Sequence, residues 1–461
     1  MSRRLKTLQA ATAGEIDEKR TEIYYWWLLL AIFFEYARPG AFVPGIDAVK
    51  LNSLIPLTLL AITLFGSGFR PFNQIFADHY AKWLTAYLGL IVLSVPFADV
   101  TLYSFTIFKK VLGYFFLFLI IARVATSVRR LHGIFAALIL AHLFLIAMNP
   151  AVVLNPEVRS YIQGGTFLGD GNDFSLSLCI LLPMAIELAQ SARSKLVALL
   201  AWGSLLVMLL AVIGTQSRGA TLAMGGVFLF LWVLSKRKGL YLAVMMLGVL
   251  GVLIYASDAY FARMGTMKDY HADGSAEGRI LAWNAGTRMA LDHPLMGVGT
   301  GHFPVAYGAK YMRHDLGSMP WLTAHSMYFL VLGEMGLPGI VTLCALVFGA
   351  MFASMKARRR HISTGKDPPV EQSDQLVRLL ALLTASLIAF AIAGAFLSVA
   401  YYPHVFILTG IHLAARAVAS AGTVSVPGRR GSRPAAVASR DRVPKSLARL
   451  PARDQGRKLG L

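Results

Sequence analysis

Cysteine is nearly absent: the chain has two, Cys179 and Cys344, in separate apolar blocks, with no CxxC spacing and no cluster of metal-ligand residues around them. That excludes a disulfide framework and a cysteine-built zinc site. Charge is scarce as well. Asp, Glu, Lys and Arg make up 15% of the 461 residues, where a soluble globular domain carries roughly 25%. Acidic residues are rarest, 24 against 44 Lys and Arg. The stretch GVGTGHF follows no predicted strand, which argues against a nucleotide-binding loop. Its Gly297, Gly299 and Gly301 are read instead as turn glycines that let a loop pack closely on neighbouring helices. Short alternating segments of the kind that build a membrane β-barrel are also missing.

What the chain has in abundance is apolar sequence, 56% of all residues. It comes in uninterrupted blocks close to the ~20 residues that cross a hydrocarbon core as a helix. Spans are predicted near 23–36, 51–68, 82–97, 103–122, 131–148, 173–190, 195–213, 219–234, 239–256, 325–354, 376–397 and 403–419. The expected fold is therefore an all-α integral membrane protein of about twelve transmembrane helices. Residues 1–22 form an N-terminal segment, 23–256 the first nine spans, 257–324 a large loop, 325–420 the last three spans, and 421–461 a tail. The sequence after the first block, from Phe34 to Pro39, is a poor signal-peptidase site, so that block is read as a retained span.

The formal net charge of +20 is placed unevenly. Lys and Arg concentrate in alternate connections: Arg70 and Lys82; Arg123, Arg129 and Arg130; Arg193 and Lys195; Lys236, Arg237 and Lys238; Lys356, Arg358, Arg359 and Arg360. Positive loops stay cytoplasmic, so both termini are expected on the cytoplasmic side of an inner-membrane protein. Nucleic acid is not an expected partner. The tail, with ten Lys and Arg from Arg429 to Lys458 among Ala, Pro and Ser, suits disorder and contact with anionic lipid headgroups.

Two outside connections are longer than ordinary turns, about 149–172 and 257–324. Loops of that length are usually functional or disordered. The second contains SAEGRILAWNAGTRMALDHP, where Ile280, Trp283, Ala290 and Leu291 recur at helical spacing. A short helix lying on the membrane surface is expected there.

Few ionisable residues are placed to carry chemistry. Arg218, in GTQSRGAT, stands at the outer mouth between the seventh and eighth spans. It fits either a snorkelling interfacial cation or a functional one facing a wet cavity. Arg279, in EGRILAWNAG, fits either a pair with Glu277 or Asp273, or a bidentate phosphate ligand. Two outside arginines near the surface could clamp a lipid pyrophosphate. His325, in TAHSMYFLVLGEMGLPG, fits an interfacial polar residue or a general base for an acceptor hydroxyl. In GGTFLGDGNDFS, Asp170, Asn172 and Asp173 are expected to cap the sixth span rather than hold a cation. Glu35, His142, Glu187 and Glu334 lie inside apolar blocks without a repeated pattern, and interhelical hydrogen bonding is expected of each.

Taken together, SRGA at 217–220, EGRILAWNAG at 277–286, DHPLMGVGTGHF at 292–303 and AHSMYFLVLGEMGLPG at 324–339 resemble the bacterial O-antigen ligase family. Wzy-type polysaccharide polymerases share the general plan. The order, spacing and common outside placement of these motifs carry the resemblance. It implies a GT-C-like, metal-independent, inverting glycosyltransferase that needs no cofactor and works at the periplasmic face. Its donor would be a glycan on undecaprenyl pyrophosphate and its acceptor a sugar hydroxyl of lipid A core. Arg218, Arg279 and His325 match the family's two arginines and its loop-ending histidine, and Asn172 lies in the segment resembling its Asn-containing loop. The family pattern carries Asn after the histidine, where this chain has Ser326. The alternatives are a polymerase using the same donor and, from a different class, a polysaccharide or lipid transporter. A transporter tends to show repeats and polar sites at the bilayer midplane, a pattern not found here.

Overall fold

The computed structural model describes residues 21–46, 51–66, 69–164, 167–265, 274–312, 321–363 and 370–424. The expectations for residues 1–20, for the basic tail beyond residue 424 and for Asp273 lie outside them. Two units are distinguished, Met1–Thr423 and Val424–Leu461, and the helical bundle is the first.

Each predicted span overlaps a helix. These are α1 (Glu22–Ala37), α2 (Leu51–Phe65), α3 (His79–Ser94), α4 (Thr101–Val124), α5 (Val128–Met148), α6 (Gly171–Ser191), α7 (Lys195–Gly214), α8 (Arg218–Leu234) and α9 (Lys238–Tyr255). After the helices of the large loop, α10 (Asp258–Gly265) and α11 (Gly274–Asp292), follow α12 (Met327–Ser363), α13 (Val370–Gly394) and α14 (Pro403–Val424). Among the described residues, eight helices are long and apolar enough to cross a membrane: α3 to α7, α9, α12 and α13. The bundle is that of a multi-pass membrane protein. Of the remaining predicted spans, α1, α2 and α8 have 16, 15 and 17 residues, and the continuous helix α14 carries His404, His412 and Arg416 within its apolar sequence. Strands are absent among the described residues.

The centre of the bundle is α6, which packs against α5, α7, α8 and α13, while α13 also meets α8 and α12. Nearly every residue of α6 from Phe174 to Ala185 is buried. The opposite extreme is α9, none of whose residues is buried against the protein. Leucines and valines exposed along α7 and α9 are stable only in an apolar solvent, which a lipid tail provides.

Polar groups inside the bundle are joined across helices, as their isolation in apolar sequence led one to expect. Ser177 of α6 bridges His142 of α5 at 2.6 Å and His404 of α14 at 2.8 Å. Glu187 of α6 meets His132 of α5 at 3.2 Å and Arg378 of α13 at 2.9 Å. Tyr114 of α4 donates to Glu35 of α1 at 3.2 Å. An unpaired polar group in hydrocarbon costs several kcal/mol, so these bonds fix helix order as well as stabilise it.

Glu334 anchors the large loop. It accepts hydrogen bonds from the Gly301 and Phe303 amides at 2.9 and 2.8 Å and from the Tyr401 hydroxyl at 2.7 Å. The glycines of GVGTGHF make this docking possible. Gly297, at φ 60°, lies so near α12 that a Cβ would stand 2.3 Å from the Glu334 carbonyl carbon. Helix α12 receives the loop at its own kink, where Gly336 has φ 61° and the Leu337 amide bonds outward to Pro294 O at 2.8 Å.

Helix α11 forms where the sequence places it, with Ala290 buried and Trp283 stacked on Phe329 while Ile280 and Leu291 stay open. Leu291 is 75% exposed and Ile280 40% exposed, whereas Ala282, Ala285 and Met289 are fully buried. The reason is the neighbour: α11 packs on α12, and small side chains admit the closest approach, down to 3.0 Å between a Cβ at Gly286 and Phe329 O. Packing on α12 thus covers the small-residue face of α11.

Candidate active site

The N-termini of α6 and α8 converge at one end of the bundle. Asp170 caps α6 by accepting from the Asn172 amide at 2.7 Å, and Ser217 caps α8 by accepting from the Ala220 amide at 3.4 Å. Both caps are residue types that sequence favours at helix starts. Helix N-termini carry partial positive charge and unsatisfied N–H groups, and so favour an anion between them.

Two cavities open at this place, of about 230 and 340 Å³. The first is walled by Asn172, Ser217, Arg218, Arg263, Arg279 and Trp283, among others. The second takes in Arg159, Asp170, Asp173, Thr323, His325 and Tyr402. Asn172, Arg263, Arg279 and Leu397 line both. The four residues singled out in the sequence, Arg218, Arg279, His325 and Asn172, thus come together from α8, α11, the segment before α12, and α6. Arg218 lines the first cavity and His325 the second, with Arg279 and Asn172 between them.

His325 is held in an uncommon conformation. Its φ is 45°, in the left-handed region where non-glycine residues are rare, although histidine is one of the better tolerated. The adjoining Ala324 carbonyl accepts a 3.0 Å hydrogen bond from Trp283 Nε1 of α11. Trp283 in turn stacks on Phe329 of α12, with ring centroids 5.2 Å apart and planes 10° from parallel. On the other side the Thr323 and Ser398 hydroxyls meet at 3.0 Å. Burial, and secondarily the positive charge of Arg279, holds the imidazole below its ordinary pKa, with Asp170 pulling weakly the other way. It is therefore neutral at neutral pH and able to accept a proton.

Three groups in this cluster were not singled out in the sequence. Arg263 ends α10 and lines both cavities. Arg159 lies 3.4 Å from the Asp170 carboxylate. Tyr402 donates to Asp173 at 3.0 Å, and burial, then that carboxylate, raises its pKa. Arg263 and Arg159 were visible as cations in the two long outside loops. Nothing in the spacing distinguished them from solvated loop arginines. Among the described residues, no group of three or more His, Cys, Asp or Glu could hold a metal ion.

Fold and site together define a multi-pass helical membrane protein with a histidine and clustered arginines at one mouth of the bundle, a class suited to anionic substrates. Residues 203–344 match the family model described as O-Antigen ligase, which supports an O-antigen ligase-family assignment. Members of that family are glycosyl-transferring enzymes, ligases and polymerases. The matched stretch runs from α7 into α12 and contains Arg218, Arg263, Arg279 and His325. No curated protein matches the chain.

Proposed function

We propose that this protein is an O-antigen ligase with about twelve spans, moving a glycan from undecaprenyl pyrophosphate onto a sugar hydroxyl of lipid A core at the periplasmic face of the inner membrane. The observation that carries the proposal is the shared lining of the two cavities, which sets guanidinium groups and one neutral imidazole around a common space.

In the reaction, the bond between the anomeric carbon and the pyrophosphate oxygen breaks, and its electron pair leaves with that oxygen. Negative charge grows on the pyrophosphate as this happens. Arg218 and Arg279, assisted by Arg263 and the two helix N-termini, stabilise that charge where it develops. The acceptor hydroxyl attacks the opposite face of the anomeric carbon and inverts it, while its proton passes to the imidazole of His325. Asn172, at the boundary of the two cavities, orients the substrates. The donor is already activated, so the reaction calls for neither a nucleotide nor a metal ion.

The test is transfer by purified protein supplied with a lipid-linked glycan and either rough lipopolysaccharide or donor alone. Joining to lipid A core supports the ligase; chain growth without it makes the protein a polymerase. His325→Ala, Arg218→Ala and Arg279→Ala are each expected to abolish transfer while still inserting in the membrane. Near-normal transfer by all of them overturns the mechanism. Substrate movement that depends on a proton or sodium gradient and survives His325→Ala identifies a transporter instead.

A further inference from the structure

Beside the arginine cavities, the connection between α5 and α6 encloses a separate concavity of about 340 Å³, within the size range of small-molecule sites. Its shape is built rather than incidental. The side chain of Asn149 donates to Leu145 O at 2.9 Å and accepts from the Gln163 amide at 2.8 Å, stapling the two ends of the segment together. Gln216 and Ser257 each donate to Pro156 O at 2.9 Å, and the Tyr255 hydroxyl donates to Val153 O. Backbone packing is equally close: a Cβ at Gly214 would collide with Val152 O. The pocket wall is thus fixed to the end of α7 and the starts of α8 and α10.

Its lining has a definite chemistry. The side-chain amides of Asn155 and Gln163 are exposed and make no hydrogen bond among the described residues. Each offers a donor and an acceptor. Tyr161 presents a ring that is 60% exposed. Carboxylates are missing from the lining. Free amides beside an aromatic ring suit an uncharged, polyhydroxylated ligand. One residue joins this pocket to the reacting cavity: Arg159 lines both, with its guanidinium 5.1 Å above the Tyr161 ring and beside Asp170.

We propose that the pocket within residues 149–163 is a saccharide subsite, holding a neutral sugar unit one step removed from the reacting one, with Asn155 and Gln163 reading its hydroxyls and Tyr161 its apolar face. The proposal rests on the glycosyl-transfer reading for its ligand class. The sugar could belong to the donor glycan or to the lipid A core, and the experiment separates them.

Full-length protein in detergent is titrated with free oligosaccharide released from the lipid-linked donor and, separately, with free core oligosaccharide, and binding is followed by saturation-transfer NMR. Wild type is expected to bind one of the two. Asn155→Ala/Gln163→Ala is expected to weaken that binding about tenfold and to raise the KM for the same substrate in the transfer assay, with kcat held. Tyr161→Ala, which removes the ring together with its contact to the Arg159 guanidinium, is expected to act in the same direction. Binding of neither saccharide, or equal binding by wild type and both variants, overturns the subsite. Its failure is distinguishable from failure of the ligase reading, because binding is read without turnover and His325→Ala is expected to bind saccharide normally while transferring nothing.

Discussion

Trp283→Phe isolates the contribution of one hydrogen bond to the placement of His325. Phenylalanine keeps a ring against Phe329, at the position where Trp283 now stacks 5.2 Å away, but it cannot donate to the Ala324 carbonyl. That bond is worth about 1 kcal/mol net. It acts against the backbone cost of holding His325 at φ 45°, about 1 to 2 kcal/mol for a residue with a Cβ. With the two terms of similar size, removing the bond lets the segment leave its productive geometry for part of the time. Since a tenfold change in rate corresponds to 1.36 kcal/mol, kcat is expected to fall about fivefold. Arg218, Arg263 and Arg279 remain in place, so KM for the lipid-linked donor is expected to stay near wild type. The reference is His325→Ala, which removes the base and loses at least about 100-fold. Single-turnover transfer measured beside steady-state kcat and KM separates the two effects. A kcat within about twofold of wild type, or a loss confined to KM, refutes the claim that Trp283 positions the histidine.

Asp170→Asn preserves the cap of α6, because Asn serves as well as Asp there, but removes the carboxylate that favours protonated His325. The acid limb of kcat/KM against pH is expected to move to lower pH, and a shift upward contradicts the assigned environment. Gly297→Ala forces a side chain into φ 60° with α12 backbone 2.3 Å away. It is expected to cost at least about 2 kcal/mol, seen as a lowered Tm in detergent, and an unchanged Tm removes the tight loop docking from the argument. Chelators are expected to leave transfer unaffected, and strict dependence on an added divalent cation overturns the metal-free mechanism.

Much of the architecture was legible from residue chemistry alone. Apolar blocks of bilayer length mark the helices because lipid offers no partner for an open backbone. Gly297, Gly299 and Gly301 marked a close docking because only glycine enters positive φ freely, and Asp170 marked a helix start because its carboxylate satisfies an orphan N–H. Arg218 stood out because a cation at the mouth of the membrane spans is costly without a partner or a wet cavity, whereas Arg279, His325 and Asn172 stood out through the resemblance of their motifs to the O-antigen ligase family. Less was legible in the loops. The spacing of Ile280, Trp283, Ala290 and Leu291 marked the helix α11, but not that Ala282, Ala285 and Met289 would be the residues α12 covers, since helical spacing says which residues share a face and not which neighbour arrives to cover it.

The sequence by itself determined that this chain makes membrane-length helices and which of its polar residues stand at their ends. Such properties depend on local backbone and transfer energetics. Only the tertiary structure decided that α6, α8, α11 and the segment before α12 bring their polar ends to one space, that Arg159 and Arg263 join them, and that Trp283 holds the carbonyl beside His325. Those contacts join residues distant in the chain. They arise from complementary packing between helices, which no local pattern encodes.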